Sequence, residues 1–333
     1  SMAYRLAIAG VTGAVGQEFL SIIEQRDFAF KTLKVLASSR SAGKTISFKG
    51  KTYTVEEMTK DSFKDVDIAL FSAGASRSRE FAPAAVKAGA VVVDNSSAFR
   101  MDPEAPLVIP EINPQKIKEH KGIIANPNCS TIIGIVPVWP LHKANPVKRM
   151  VVSTYQAASG AGMSAMLELE NQSREILDGK APTKNVFPHQ IAFNCFSHNS
   201  ALGPNGYNEE ETKLVKETRK IFDCPNIAVT ATCIRIPVMR AHCESINLEF
   251  ASAMTPDEVR SILKAAPGVT VLDDRDHNRF PMPIDASGQD DVFVGRIRQD
   301  ESLPGNRGIN LWVAGDQLRK GAALNAIQIA ELL

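Results

Sequence analysis

Up to residue 141 the chain alternates short apolar runs with stretches whose apolar residues recur every three or four positions. The runs at 4–9, 33–37, 67–71, 90–94, 107–109 and 122–125 read as buried strands, since they are too short for helices. Phe19, Leu20, Ile22 and Ile23 mark one helix, residues 77–88 a second, and the apolar run 132–141 a third. Apolar strands alternating with helices imply a mostly parallel sheet covered on both faces. Ligands of such sheets bind in the crevice at the carboxyl edge of the strands.

The pattern then changes. Residues 147–156 alternate, with Val151, Ser153 and Tyr155 on one face and Met150, Val152, Thr154 and Gln156 on the other. Further strands are expected at 227–236, 241–250, 290–298 and 308–315, giving a second, mostly antiparallel sheet. Helices are expected over 163–178 with Gly179 closing it, from Asn208 with its acidic first turn, from Thr255-Pro256-Asp257-Glu258 to 266, and over 316–333. Residues 181–206 are rich in Pro, Asn and His with little periodicity, and read as a long loop or interface segment. The expected domains are 1–128 with 316–333, and 129–315.

Chemistry enters at the first turn. Gly10-Val11-Thr12-Gly13-Ala14-Val15-Gly16 follows a strand and opens a helix, an arrangement in which glycines admit a pyrophosphate to the helix N-terminus. After the second strand comes Ser38-Ser39-Arg40-Ser41 with no acid to meet a ribose 2′-hydroxyl, so a 2′-phosphate and hence NADP is favoured over NAD. Residues 72–74 and 94–97 should line the crevice, and Arg100 just beyond is placed to clamp an anion. At 126–131, Asn-Pro-Asn-Cys-Ser-Thr puts Cys129 where a strand ends and a helix begins. The helix N-terminus there favours a thiolate and a neighbouring oxyanion, making Cys129 the candidate nucleophile. Downstream, Gln156 ends a strand, Glu210 and Lys213 share a helix face, and Arg235 stands in a β-branched strand that calls for an anionic partner. His242 is the candidate base. It lies an odd number of residues from Arg235, so the 237–241 connection must reset the register for both to face one site.

Composition narrows the partners. With 23% charged residues and a net charge of +1 over 333 residues, no overall field favours nucleic acid or a membrane surface. Five scattered cysteines (129, 195, 224, 233 and 243) lack metal or disulfide spacing, which predicts no metal and a reducing cytoplasm. No apolar run approaches the roughly 18 residues of a membrane span. Nor is a signal peptide expected, and Ser1 ahead of Met2 is expected to lie outside the fold.

These pieces also resemble one family from end to end. GVTGAVG, SSAFR ending at Arg100, NPNCST around Cys129, YQAASGAG from Tyr155, the Glu210 to Lys213 tetrad, RIPV with His242, and the closing GDQLRKGAALNAIQIAE are similar to aspartate-semialdehyde dehydrogenases. The resemblance implies an α/β subunit: an N-terminal Rossmann-type NADP-binding domain, and an α+β catalytic and dimerisation domain with a mostly antiparallel sheet. It implies NADPH-dependent reductive dephosphorylation of 4-phospho-L-aspartate to L-aspartate 4-semialdehyde, through a Cys129 thioester. This reaction belongs to lysine, threonine, methionine, isoleucine and diaminopimelate biosynthesis. His242 would act as acid/base and take the thiol proton, and Gln156 would orient the substrate. Arg235 would hold the substrate carboxylate and Glu210 its ammonium; Arg100 and Lys213 would bind phosphate, with Asn128 also at the substrate. Thr12, Gly13, Ala14, Val15, Arg40, Ser41, Ser159, Gly160 and Gln317 would hold the cofactor, Gln317 standing where the family pattern has an Asn. A cytoplasmic homodimer, or a dimer of dimers, is implied. The nearest alternative, N-acetyl-γ-glutamyl-phosphate reductase, is associated with a glycine and an aromatic beside its cysteine, where this chain has Asn128 and Ser130.

Overall fold

The computed structural model describes residues 3–333, so Ser1 and Met2 lie outside the described residues. The chain divides into two compact units, one ending at Asn128 and resumed from Ala322 to Leu333, the other Cys129–Gly321.

In the first unit β1 (Tyr4–Ala9) passes through the glycine turn into α1 (Ala14–Gln25). There follow β2 (Phe30–Ala37), β3 (Thr45–Phe48), β4 (Lys51–Thr54), β5 (Glu56–Glu57), β6 (Ile68–Phe71), α2 (Ala75–Lys87), β7 (Val91–Asp94) and β8 (Ile123–Ala125). Among the described residues six of these strands form a parallel sheet in the order β5-β2-β1-β6-β7-β8. The strand order reverses beside β1, so the crevice opens where β1 delivers Gly10. Alternate residues feed two cores: Leu6, Ile8, Val35 and Leu70 pack with Phe19, Ile22 and Ile23 of α1, and Ala7, Ala9, Leu36 and Phe71 with Phe63 and Phe81.

Two features depart from the sequence pattern. The run 107–109, flanked by Pro106 and Pro110, pairs only through an isolated bridge from Leu107 to Ala125. The hairpin β3–β4 was not anticipated. Its strands alternate across Lys49-Gly50, whose φ values of 51° and 75° are those of a tight hairpin turn.

The second unit comprises α3 (Cys129–Ala144), β9 (Val147–Gln156), α4 (Met163–Leu177), β10 (Phe196–Ser197), α5 (Glu209–Ile221), β11 (Ala228–Arg235), β12 (His242–Phe250), α6 (Pro256–Lys264), β13 (Val269–Val271), α7 (Pro283–Ala286), β14 (Val292–Gln299) and β15 (Gly308–Gly315). Its sheet runs β10-β11-β9-β12-β15-β14-β13; the β11–β9 and β14–β13 pairs are parallel and the rest antiparallel. Rather than one apolar stripe, α3 is buried on all sides, because it lies between the sheet and helices α5 and α6. A capping box starts α5: Asn208 accepts from Glu211 N–H, and Glu211 accepts from Asn208 N–H. The other Glu211 oxygen takes the Cys233 N–H at 2.9 Å, docking the cap to β11.

Residues 316–321 group with this second unit, six residues past the expected boundary. Asp316 accepts from Arg240 Nε and Gly288 N–H, both at 2.7 Å, and Arg319 pairs with Asp290 at 2.8 Å. The last helix, α8 (Leu324–Glu331), is therefore shorter than 316–333. It packs with α1 in the first unit, where Arg26 pairs with Glu331 at 2.7 Å. Among the described residues no helix is long and apolar enough to cross a membrane.

On the α3 side of β12 the carboxyl of Glu244 is fully buried with no hydrogen-bond partner. It presses on Gly134 of α3, where a Cβ would come within 2.5 Å of one oxygen. Burial, and then repulsion from Glu210, hold Glu244 well above the usual carboxylate value of 4.5, which makes it a neutral acid. Above that unfolded-state value the native form binds the extra proton, so this group costs stability as pH rises. Glu244→Gln should remove that cost. In denaturant unfolding between pH 6 and 8 the variant should gain on wild type by up to about 1.4 kcal/mol per pH unit; parallel profiles would show that Glu244 ionises within the fold.

Candidate active site

Three adjacent strands of the second unit build the site. Arg235 on β11 pairs with Gln156 on β9, and His242 on β12 falls one step beyond the Cys243–Tyr155 pair. Arg235, Gln156 and His242 thus form one row on the α3 face of the sheet. The odd spacing of Arg235 and His242 is absorbed, as expected, by the 237–241 connection, which carries the chain from β11 on one side of β9 to β12 on the other. Ala158 and Ser159 N–H groups donate to Val238 and Met239 carbonyls at 2.8 and 3.1 Å, tying the turn after β9 to the 237–241 connection. Ala241, at φ 79°, holds a left-handed conformation rare for alanine, and its N–H donates to Gln317 Oε1 at 2.9 Å. Gln317 Nε2 in turn donates to Ser159 Oγ.

Cys129 is the first residue of α3 and is half-buried. Its Sγ lies 3.5 Å from His242 Nε2. Ala157 N–H donates to His242 Nδ1 at 2.9 Å, and a neutral imidazole carries a single N–H, so its proton is on Nε2, facing the sulfur. Burial, then the nearby Arg235 charge, push His242 down to about 3, so the ring is neutral near pH 7. To receive the thiol proton the ring would have to carry an Nδ1–H against the Ala157 N–H, whereas the observed arrangement offers the sulfur a donor. By contrast, burial pushes the Cys233 thiol up and the Cys243 thiol up to about 12, leaving both unreactive.

Gln156 Nε2, with two N–H groups, has three acceptors within reach: Ser130 Oγ at 2.7 Å, Glu210 Oε2 at 3.0 Å and, more distantly, Thr154 Oγ1 at 3.2 Å. Lys213 Nζ lies 3.8 Å from Glu210 Oε1, as their shared helix face requires. Burial raises the Glu210 carboxyl, but the electrostatic pull of Lys213 and Arg235, the Gln156 hydrogen bond and, whenever its ring is protonated, the charge of His198 act the other way and keep the group below its usual value. Arg235 Nη1 donates to Ala157 O at 3.1 Å and Nε to Asn199 Oδ1 at 3.3 Å, Nη2 lies 3.1 Å from His198 Nε2, and the Phe187 ring lies 5.5 Å away. His198, Asn199 and Ser200 come from the segment read as a loop, and its aperiodic composition held no signal for them. Two glycines keep this space open. A Cβ at Gly160 would meet Arg235 Nη1 at 2.9 Å and His242 Nε2 at 3.1 Å, and one at Gly321 would meet the Cys129 Cβ at 3.1 Å.

In the first unit Gly13 is the N-cap of α1 with no side-chain cap bond, and no acid stands in the first turn. Thr12 and Gly13 are exposed and Ala14 and Val15 half-buried. Gly10, at φ 87°, could not carry a Cβ, which would fall 2.1 Å from Ser72 O. Backbone N–H groups at a bare helix start suit a pyrophosphate. Arg40 is exposed and Ser41 half-buried in the turn after β2, the strand beside β1. Arg100 is buried; its Nε donates to Asn126 O at 2.9 Å and Nη2 to Asn95 O at 3.3 Å. Asn126 is also held by Asn325 Nδ2 at 2.6 Å, so Arg100 braces the turn leading to the buried Asn128. Among the described residues no group of three or more His, Cys, Asp and Glu is placed to hold a metal ion.

The fold and the thiol–imidazole pair define a dinucleotide-dependent oxidoreductase with a cysteine at its centre. Residues 5–120 match the family model of the semialdehyde dehydrogenase NAD binding domain, and residues 138–320 that of the semialdehyde dehydrogenase dimerisation domain. The chain is 56% identical to the aspartate-semialdehyde dehydrogenase of Synechocystis sp., over 99% of this chain and 97% of that protein. The crystal structure of aspartate semialdehyde dehydrogenase II from Vibrio cholerae, complexed with ASA, is 45% identical with a TM-score of 0.97, covering 100% of this chain and 98% of that one. That of the Candida albicans aspartate semialdehyde dehydrogenase with NADP is 26% identical with a TM-score of 0.78, at the same coverage. The chain belongs to the aspartate-semialdehyde dehydrogenase family.

Gly160→Ala tests whether the open space is used. The methyl would displace Arg235 Nη1 and the His242 ring, so kcat/KM should fall by about 10²-fold, the scale of a ~1 Å misplacement. The unfolding midpoint should barely move, since the crowded atoms end side chains. Wild-type kcat/KM would show that the substrate does not occupy this space.

Proposed function

We propose that the protein catalyses NADPH-dependent reductive dephosphorylation of 4-phospho-L-aspartate to L-aspartate 4-semialdehyde and phosphate, through an acyl thioester on Cys129. The reading rests on the 3.5 Å approach of Cys129 Sγ to His242 Nε2, beside the row that holds Gln156 and Arg235. The positive end of the α3 dipole and the Nε2–H of His242 both favour a thiolate. The thiolate forms a C–S bond to the acyl carbon, and the C–O bond to phosphate breaks with its electron pair leaving on phosphate. NADPH, when bound, supplies the hydride that reduces the thioester carbonyl. The resulting oxyanion collapses to the aldehyde and expels the Cys129 thiolate. The phosphate trianion so released takes from solvent the one proton that the overall reaction consumes, and the reductive half regenerates the thiolate without one, so neither half draws a net proton from His242. It serves as a neutral donor to whichever of sulfur or oxygen carries charge, and the thiol proton is lost once rather than in every cycle.

The other roles follow the chemistry of the groups. Arg235, buried among neutral hydrogen-bond partners, suits the substrate carboxylate, and the ionised Glu210 its ammonium. Gln156 and Asn128 orient the substrate, while Lys213 and Arg100 bind its phosphate. Thr12, Gly13, Ala14 and Val15 cradle the cofactor pyrophosphate, and Arg40 and Ser41 meet the 2′-phosphate that distinguishes NADP. Ser159, Gly160 and Gln317 complete the cofactor set. An amide at Gln317 can keep the bonds expected of an Asn there. The protein acts as a cytoplasmic homodimer or dimer of dimers in the synthesis of lysine, threonine, methionine, isoleucine and diaminopimelate; the match to a dimerisation domain supports the dimer.

Phosphate-dependent reduction of NADP⁺ by L-aspartate 4-semialdehyde, much faster than with NAD⁺ and absent with N-acetylglutamate semialdehyde, is the expected activity. Reduction independent of phosphate would overturn it. Cys129→Ala should abolish turnover yet still bind NADP⁺. His242→Ala should lower kcat by about 10²–10³-fold, as for loss of an oxyanion donor, and His242→Gln, which keeps an N–H but no base, should lose less. Equal losses would favour a base at this position.

A further inference from the structure

Residues 178–208, between α4 and α5, look like slack chain, yet they are tightly held. Glu168 accepts N–H bonds from Asn185, Val186 and Phe187. One turn later on α4, Gln172 Oε1 accepts from Ile191 and Ala192 N–H. The segment then forms β10, where Phe196 pairs opposite Arg235, and His198 N–H donates to Cys233 O at 2.9 Å. His198 is thereby fixed beside the end of β11 with its side chain only 9% exposed.

The ring's protonation follows from its neighbours. A guanidinium only donates, so His198 Nε2, 3.1 Å from Arg235 Nη2, accepts. Two groups of Ser200 approach Nδ1, its Oγ at 2.9 Å and its N–H at 3.2 Å; because Nε2 must accept from the guanidinium, the proton of the neutral ring sits on Nδ1 and goes to the nearer Oγ, which also accepts the Glu210 N–H at 3.2 Å. The charged groups facing the ring are Arg235 from β11 and Glu210 and Lys213 from α5. Burial outweighs the pull of Glu210 and pushes His198 down to about 4, consistent with a neutral acceptor. Asn199 Oδ1, Ala157 O and His198 Nε2 each take one N–H of Arg235, which leaves a further N–H on each terminal nitrogen for a carboxylate.

We propose that His198 is a positioning residue for substrate recognition: as a neutral acceptor on Arg235 Nη2 it fixes the guanidinium plane that binds the substrate carboxylate. This rests on the reading of Arg235 as that clamp. A protonated ring would put two cations about 3 Å apart and turn the guanidinium away, and an apolar side chain would leave it free to rotate.

The test compares steady-state kinetics of wild type, His198→Leu, His198→Gln and Arg235→Lys with L-aspartate 4-semialdehyde in the phosphate-dependent direction. His198→Leu should raise the KM for the semialdehyde about tenfold or more, as expected for losing a bond to a charged group, with kcat within about threefold and the KM for phosphate and NADP⁺ unchanged. His198→Gln places an amide acceptor near the Nε2 position and should recover most of the loss. Should the leucine variant not fold, His198→Asn serves instead, because its amide ends near Nδ1 and cannot reach Arg235. Equal effects of glutamine and leucine (or asparagine), or a loss confined to kcat, would overturn the proposal. If Arg235→Lys raises the semialdehyde KM while His198→Leu does not, only the role of His198 falls. If Arg235→Lys leaves that KM unchanged, the reading of Arg235 as the clamp falls first.

Discussion

The pairing of β9 with β11 on one side and β12 on the other is the constraint on which the candidate site depends. Parallel pairing sets Arg235 level with Gln156, and antiparallel pairing sets His242 level with it from the other side. Side chains alternate along strands, so a slip of one residue in either ladder would turn Arg235 or His242 to the far face and dissolve the row. The register is therefore held at several points beyond the ladders. Ala158 and Ser159 bond to the 238–239 backbone, and Gln317 secures the left-handed Ala241 just before His242.

That row is polar and buried, which is why its protonation states are so narrowly set. His242 and His198 are both kept neutral by burial and by the neighbouring guanidinium, while Glu210 stays ionised because Lys213, Arg235 and the Gln156 amide face it. Glu244, one layer deeper on β12, has no such partner and stays protonated. Two carboxyls in one core thus take opposite charge states according to whether donors face them. The backbone takes part as well: one N–H, that of Ala157, decides which nitrogen of His242 faces Cys129.

Much of the architecture was legible because it depends on local order. The glycine turn, the alternation along β9 and the capping box at Asn208 each need only a few neighbouring residues, and each reads from the chain directly. The β3–β4 hairpin is equally local, with short alternating strands around Lys49-Gly50. The end of the final helix and the allegiance of residues 316–321 were not local. They follow from Asp316 and Arg319 meeting Arg240, Gly288 and Asp290, partners some 30 to 80 residues away in sequence.

By itself the sequence determined which groups are present for chemistry: a thiol at a helix start, an imidazole, an arginine in a strand, and a glycine turn with Arg40 but no acid beyond the next strand. Residue type and short spacing carry that information, because nucleophilicity, charge and turn geometry are properties of a few adjacent residues. Only the tertiary structure decided how those groups behave. It brought His198 from an aperiodic segment to Arg235, put the His242 proton on Nε2 and left Glu244 neutral. Tautomer, charge state and hydrogen-bond partner depend on what is packed against a side chain from other elements, and β11, β9, β12, α3 and the 178–208 segment meet only once the chain has folded.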